Sequence, residues 1–294
     1  MRYIHFIVNP ISGKGNQAIT EAFIRECFSR DKYEVQVDFT AHKKHAIELT
    51  KRAMANNPDC IVACGGEGTI NEVASQLVNT TIKLGIIPLG LRNGLASNLH
   101  IPQDIMRAIE IIKEGSLRPI DVGTMNGYYF FSNTGTGFDA VIIKQYEHSG
   151  KRTLLSYIRA SLKASQIFQP KKAIIAFPTQ TIEVIPFMLF VSNSNEMGYN
   201  LSLTPKALLD DGLLDVVIIP KISFVEKIFL GWHVLRNKTE KFKKASRCQV
   251  HSLTVEYPEK IFTDSQIDGE YCYLRTNKVT ISVISQGIHV LVPR

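Results

Sequence analysis

The chain has 294 residues, of which 45% are hydrophobic and 21% charged, enough for one large domain or two ordinary ones. Its net charge of +7 favours acidic partners, whether phosphates, nucleotides, nucleic acid or an anionic membrane surface, and does not by itself choose among them. No apolar stretch nears the ~20 residues of a membrane span, Asn9-Pro10 interrupts the first apolar run too early for a signal peptide, and the five cysteines show no paired metal-site spacing, so the expectation is a cytoplasmic protein with reduced thiols.

In chain order, "YIHFIVNP" reads as a buried strand ending in a turn. "NQAITEAFIRECFSR" has helical spacing at Ile19, Phe23, Ile24 and Cys27. "YEVQVDFT" alternates as a strand does, and "HKKHAIELTKRAMAN" is helical. "CIVACGG" is a strand that leads into the helix "INEVASQLVN". "KLGIIPLG" is a strand, and "PQDIMRAIEIIKEG" is a helix closed by Gly115. This alternation predicts an α/β domain with a mainly parallel, Rossmann-like sheet over residues 1–122. Ligands of such sheets bind outside the carboxyl ends of the strands. The turns "NPISGKG", "GGEGT" and "PLGLRNG" all follow strands and are expected to gather on one edge.

The texture then changes. "IDVGTMNGYYFFSNTGTGFDA" reads as a hairpin running into a glycine-rich turn. "AIIAFPTQTIEVIPFMLFVSNS", "GLLDVVIIP", "QVHSLTVEYP", "IFTDSQIDGEYCYLRT" and "KVTISVISQGIHVLVP" are strand-like. Two helical patches interrupt them, "LLSYIRASLKASQIF" and "SFVEKIFLGWHVLRN". Residues 123–294 therefore predict a β-rich, sandwich-like second domain or a distorted barrel, with a last strand that returns to the first domain.

The junction at residues 65–69 is the strongest chemical lead. Gly65, Gly66 and Gly68 surround Glu67 between a strand and a helix, and Thr69 follows. Backbone N–H groups at a helix N-terminus lack partners, and glycines let phosphate oxygens reach them. The same residues also suit a plain tight turn with Thr69 as a cap. The spacing matches neither a P-loop nor the dinucleotide GxGxxG. Ser12, Gly13, Lys14 and Gly15 offer a second phosphate contact or an ordinary turn.

Asp211-Gly212 is a turn dipeptide, flanked by Asp210 and Asp215; Asp211 with nearby carbonyls also suits an all-oxygen site for Mg²⁺. Asp268 and Glu270 flank Gly269, either in a type I′ turn or as carboxylates facing a nucleotide. Phe224, Ile228, Phe229, Trp232 and Leu235 precede the cations Arg236, Lys238, Lys241, Lys243, Lys244 and Arg247. That pattern reads either as a partly buried helix with a solvated end or as a membrane-facing surface.

Taken in order, these stretches resemble the diacylglycerol-kinase-like lipid kinases, which include sphingosine and ceramide kinases and small bacterial lipid kinases and are related to NAD kinases. "NPISGKG", "GGEGTINEV", "PLGLRNGLASNL", "GFDA" with "DDGLLDVVII", and "DGE" match that family's motifs along nearly the whole chain. The resemblance implies an ATP-dependent kinase whose site lies in the cleft between its domains. The cofactors it implies are ATP and Mg²⁺, and the acceptor a lipid hydroxyl of diacylglycerol or sphingoid type. The nucleotide contacts it implies are Asn9, Ser12, Thr40, Gly65, Gly66, Glu67, Gly68, Thr69, Asn71, Arg92 and Asn93. It places Mg²⁺ on Asp211 with the carbonyls of Leu208 and Leu213. Glu270 matches the proton acceptor of bacterial members, and Glu67 the acid given that role in sphingosine-kinase-like members. The partners implied are a lipid substrate, transient peripheral contact with a membrane and a homodimer, with no nucleic acid.

This chain departs from the family pattern twice. Glu67 stands where the family has Asp, and Leu91-Arg92 replace a small hydroxyl residue and a glycine. These departures motivate an alternative, a nucleotide- or lipid-binding homologue with weak or no turnover. An NAD kinase is the third reading, against which "NPISGKG", "DDGLLDV" and "DGE" all speak.

Overall fold

The computed structural model describes residues 1–13, 19–90, 94–150, 153–196 and 201–294. The first stretch of elements is β1 (Arg2–Val8), α1 (Glu21–Cys27), β2 (Tyr33–Phe39), α2 (His45–Met54), β3 (Cys60–Gly65), α3 (Glu67–Leu77), β4 (Lys83–Pro88), α4 (Gly94–Asn98) and α5 (Ile105–Glu114). There follow β5 (Ser116–Met125), β6 (Tyr128–Phe130), β7 (Asn133–Gly137), α6 (Phe138–His148), α7 (Leu154–Ile167), β8 (Ala173–Ala176), β9 (Thr181–Val184) and β10 (Pro186–Ser192). The chain continues with β11 (Leu214–Pro220), α8 (Phe224–Leu235), β12 (Ser246–Val250), β13 (Ser252–Glu256), β14 (Thr263–Ile267), β15 (Glu270–Leu274) and β16 (Lys278–Val292). Two compact units result: Met1–Ile120 with Gln286–Arg294, and Asp121–Ser285.

In the first unit the strands run in the order β2-β1-β3-β4, followed by the end of β16, and every pairing is parallel. A parallel strand covered on both faces needs apolar residues throughout, and all six residues of β3 are buried. Helices α1 and α5 bury Ile24, Phe28, Ala108, Ile109 and Ile112 against Ile4, Phe6, Val8, Cys60, Val62 and Cys64. Burial also pushes the Cys60 thiol up to about 12, which leaves it an inert packing group. Thr20 caps α1 by accepting from the Phe23 N–H, and Asp104 caps α5 through Arg107, so these helices start where an oxygen satisfies their first turn. β1 has β2 on one side and β3 on the other. The strand order thus reverses at β1, and the crevice outside the carboxyl ends of β1 and β3 is the place where such sheets take ligands.

The second unit holds an antiparallel sheet, β12-β11-β10-β7-β14-β15. A second set of strands comprises the first part of β16 with β13, β8 and β9, and the hairpin β5–β6. Leu189, Val191, Leu214 and Val216 meet Ile175, Val255, Val279 and Ile281 in the core they share. Two hairpin turns have positive φ at both central residues, Asn126 with Gly127 and Asp268 with Gly269, the type I′ geometry that Asn-Gly and Asp-Gly favour. Opposite Phe130, only a glycine fits at 123, because a Cβ there would lie 2.1 Å from the ring.

Among the described residues three α-helices belong to this unit where two were expected. The third, α6, carries "FDAVIIKQYEH" and lies against β7, β10, β14 and β15 on one side and α7 on the other. A helix covered on two sides carries no clean polar stripe, so its period does not stand out in the sequence.

Candidate active site

The three turns expected to gather on one edge are tied to one another in the first unit. Gly65 ends β3, and a Cβ there would lie 2.6 Å from Thr69 Cβ and 2.8 Å from Thr69 Oγ1. Only glycine lets the first turn of α3 fold back so closely on the strand it leaves. Gly66, the N-cap of α3, has ordinary extended backbone and no side-chain cap. Its N–H donates instead to Ser12 Oγ (3.2 Å). Asn9 Nδ2 donates to Thr69 Oγ1 (3.0 Å), while Asn9 Oδ1 accepts from the Ile11 N–H (3.2 Å) and so bends its own turn. Gly13 takes φ +82°, with Leu89 O 2.5 Å from where a Cβ would sit. Leu89 N–H in turn donates to Gly65 O (2.9 Å).

At Gly66 the packing is different. A Cβ there would meet Ser12 Oγ at 4.0 Å and no closer described atom, so packing among the described residues does not require a glycine. Among the described residues, what the glycine preserves is open space in front of the N-terminus of α3, where first-turn N–H groups and the helix dipole favour an anion. The structure therefore brings together Asn9, Ser12, Gly65, Gly66 and Thr69, with Glu67 and Gly68 in the first turn of α3 and Asn71 in the next. Thr40 follows β2 and donates its N–H to Val8 O (2.8 Å), which places it beside Asn9 at the end of β1. Lys14, Gly15, Leu91, Arg92 and Asn93 lie outside the described residues.

The second unit holds the other candidate acids. Asp211 Oδ1 accepts from the Leu213 N–H (3.0 Å), and Asp211 Oδ2 accepts from Gln249 Nε2 (3.2 Å), which also reaches Asp215 Oδ2 at 3.4 Å. Burial raises the Asp215 carboxyl, and the Asp211 charge adds to that. The turn is held from below by a residue that sequence reasoning passed over. Asp121 is fully buried; its Oδ2 accepts from the Gly212 N–H (2.6 Å) and its N–H donates to Leu209 O (2.6 Å). Among the described residues no group of three or more His, Cys, Asp or Glu side chains is placed to hold a metal. The donors available around residues 208–213 are the exposed carboxylates of Asp210 and Asp211 and backbone carbonyls, an all-oxygen set of the kind that hard cations take.

The comparisons with known proteins follow the same division. Residues 3–125 match the diacylglycerol kinase catalytic domain, and residues 132–291 match the YegS C-terminal NAD kinase beta sandwich-like domain, which alone spans more than half of the chain. The chain belongs to the diacylglycerol-kinase-like lipid kinases. A diacylglycerol kinase of Bacillus subtilis (strain 168) is 28% identical over 301 residues, covering 100% of this chain and 97% of its own. One from Staphylococcus aureus (strain JH9) is 29% identical over 274 residues, 90% of this chain and 85% of that one. The crystal structure of a diacylglycerol kinase from Bacillus anthracis str. Sterne is similar in fold, with a TM-score of 0.71 at 18% identity over 99% of this chain and 97% of that one.

In this lipid kinase the late acidic turn divides its labour. Asp268 turns into the protein. Its carboxylate is buried and accepts the N–H groups of Phe131 (2.9 Å), Ser132 (2.8 Å) and Asn133 (3.0 Å), so it clamps the entry to β7. Burial pushes that carboxyl up to about 6 against the pull of those three donors. Glu270, the first residue of β15, is exposed.

A third buried acid of the lipid kinase came to light only in the structure. Asp139, in the first turn of α6, lies so close over β7 that a Cβ at Gly135 would be 2.0 Å from its Oδ2. Asp139 Oδ2 accepts from Gln266 Nε2 at 3.4 Å, and Asp139 Oδ1 has no hydrogen-bond partner. Gln266 Oε1 accepts the Gly269 N–H (3.0 Å), so one amide separates Asp139 from the turn that carries Glu270. Burial, resisted by the Ala140 N–H and the Gln266 amide, pushes the Asp139 carboxyl up to about 7. "GFDA" was legible as a motif, but nothing in the sequence said that its acid is buried.

Proposed function

We propose that this lipid kinase transfers the γ-phosphoryl group of ATP to the hydroxyl of a lipid of diacylglycerol or sphingoid type. The observation that carries this reading is the space at Gly66 left unfilled by the described residues, before a helix N-terminus without a side-chain cap and beside three interlocked turns. Phosphoryl transfer needs little covalent chemistry from a protein; it needs the phosphates held in place and their charge met. In this reading Ser12, Gly65, Gly66, Gly68 and Thr69 bound the phosphates, Asn9 and Asn71 support that turn, and Thr40 adds a contact further out. Arg92 and Asn93 continue the set from the third turn. Glu270 takes the lipid hydroxyl proton as the lipid oxygen bonds to the γ-phosphorus and the bond to ADP breaks. Glu67 is the second candidate for that proton.

Asp211 with the carbonyls of Leu208 and Leu213 would hold Mg²⁺, which supplies charge neutralisation and stiffens the turn when bound. Asp121, fixed to Gly212 and Leu209, sets the shape of that turn whether or not an ion is present. The enzyme works from the cytoplasm in transient contact with a membrane that holds its acceptor.

The test is incubation with γ-labelled ATP, Mg²⁺ and vesicles that contain diacylglycerol, sphingosine or ceramide in turn, with labelled GTP in a parallel series. A labelled lipid is the expected product. Failure to phosphorylate any lipid with either nucleotide would refute the reading.

A further inference from the structure

The outermost helix of the second unit is built the opposite way round from a water-facing one. A surface helix normally turns its apolar stripe to the core and its charges to solvent. In α8 the side turned to the protein carries Glu226, Lys227, Leu230, His233 and Val234, of which Leu230 is buried and Val234 half-buried against the same core cluster. Its charges are occupied there. Glu226 Oε2 accepts from Ser223 N–H (2.7 Å) in a capping box and Oε1 meets Lys244 Nζ at 2.5 Å. Lys227 Nζ donates to Ser165 O (3.3 Å) and lies 5.2 Å from the Phe187 ring centroid. The outward side carries Phe224, Val225, Ile228, Phe229, Trp232 and Leu235, all between 48% and 71% exposed. Single exposed apolar residues are ordinary, but six on one helix face form a contiguous patch that marks an interface.

The charge around this crest says what covers it. Residues 221–247 hold eight lysines and arginines against two glutamates, a net of +6 within a chain whose total is +7. Lys221, Lys238, Lys241 and Lys243 are exposed. The Arg236 guanidinium lies 4.0 Å over the Trp232 ring, an aromatic–cation pair suited to the headgroup level of a bilayer. A second copy of the chain is a poor occupant. A two-fold interface sets the same patch against itself and would press two such cationic surfaces together.

We propose that α8 is the membrane-docking element of this protein and that its partner is a bilayer surface rich in anionic phospholipid. The helix lies in the interface plane with its six apolar side chains among the acyl chain ends and its cations among the phosphates. The inference rests on the reading that the acceptor is a lipid held in a membrane, and it names the surface that reaches it.

The test uses the full chain, without nucleotide, in co-sedimentation with vesicles of phosphatidylcholine alone or of phosphatidylcholine with phosphatidylglycerol, at low and high salt. The expected result is binding to the anionic vesicles at least about 10-fold tighter than to the neutral ones, weakened by salt. Phe224→Ser/Phe229→Ser/Trp232→Ser should lose roughly 100-fold in binding to anionic vesicles while keeping its circular dichroism and melting temperature, because these residues are exposed. Lys238→Glu/Lys241→Glu/Lys243→Glu should abolish the preference for the anionic lipid. Two results overturn the proposal: wild-type protein that stays in the supernatant, or a triple serine variant that binds as the wild type does. So does a wild-type dimer in light scattering that the serine variant dissolves, which would make the face a self-interface. Because no catalysis is involved, vesicle binding without lipid phosphorylation counts against the proposed reaction alone, and phosphorylation without vesicle binding counts against the docking face alone.

Discussion

Asp139→Asn isolates the cost of ionising one buried acid. The side chain keeps its shape over Gly135 and keeps an oxygen for Gln266, but it can no longer carry a charge. In the folded protein the carboxyl titrates near about 7 against an ordinary value of 3.8, a gap of about three units. At ~1.4 kcal/mol per unit, the full penalty is about 4 kcal/mol, with relaxation around the charge reducing it. The sign follows from proton counts. Below about pH 4 the acid is protonated folded and unfolded and costs nothing. Between about pH 4 and about 7 the unfolded chain has released its proton while the folded one keeps it, so wild-type stability falls as pH rises. Above about pH 7 the penalty is complete and constant.

The variant has no such slope. The stability difference between the two proteins should therefore move in the variant's favour by up to ~1.4 kcal/mol per pH unit across that window, then level off. A constant offset from imperfect packing of the amide cancels, because only the pH dependence is read. Urea unfolding followed by fluorescence suits the measurement, since the single tryptophan, Trp232, sits in the same unit as Asp139. Parallel stability curves from about pH 5 to about pH 8 would refute the reasoning and place a charged Asp139 in contact with something that stabilises it.

Other perturbations probe the proposed reaction. Gly66→Val should abolish ATP binding in calorimetric titration while leaving the melting temperature close to wild type, since its Cβ meets only Ser12 Oγ at 4.0 Å; unchanged affinity would make the loop a mere turn. Asp211→Ala should weaken the dependence of activity and melting temperature on Mg²⁺, and equal Mg²⁺ stabilisation of both proteins would show that no ion is held there. Glu67→Asp, which installs the residue usual in the family, should lower turnover by more than roughly tenfold, or ~1.4 kcal/mol in barrier, because the shorter side chain draws the carboxylate back by about one methylene. Equal steady-state rates on the same lipid would remove Glu67 from the reaction and leave Glu270 as the base.

The first unit was largely legible because its physics is local. "CIVACGG" is apolar throughout because β3 is covered on both faces, and Gly65 marks the place where Thr69 must approach the backbone. The acids of the second unit were legible as turn residues but not as partners. Asp121 reaches Gly212 across 91 positions, and Gln266 reaches Asp139 across 127, so no window of sequence shows either pair. Asp268 shows the same limit: its neighbours in sequence suggest a ligand contact, and its actual partners are backbone N–H groups more than 130 positions earlier. Helix α8 had a clear period, but a period does not say which side faces in. The usual assumption buries the apolar stripe; here the capping box and the Lys227 and Lys244 contacts hold the opposite face to the protein.

The long strand β16 bears on how the molecule is made. Its start pairs with β13 in the second unit, and its end, at Val290, pairs with Leu84 of β4 in the first. Residues 1–120 thus leave the ribosome before the second unit, and their own unit is completed after it. Until residues 286–294 have been synthesised, the outer edge of β4 lacks this strand and offers open backbone groups to any passing extended chain. The nascent chain carries that adhesive edge through the synthesis of the whole second unit, so its dependence on holding chaperones should be set less by the slow β-rich unit than by the wait for β16.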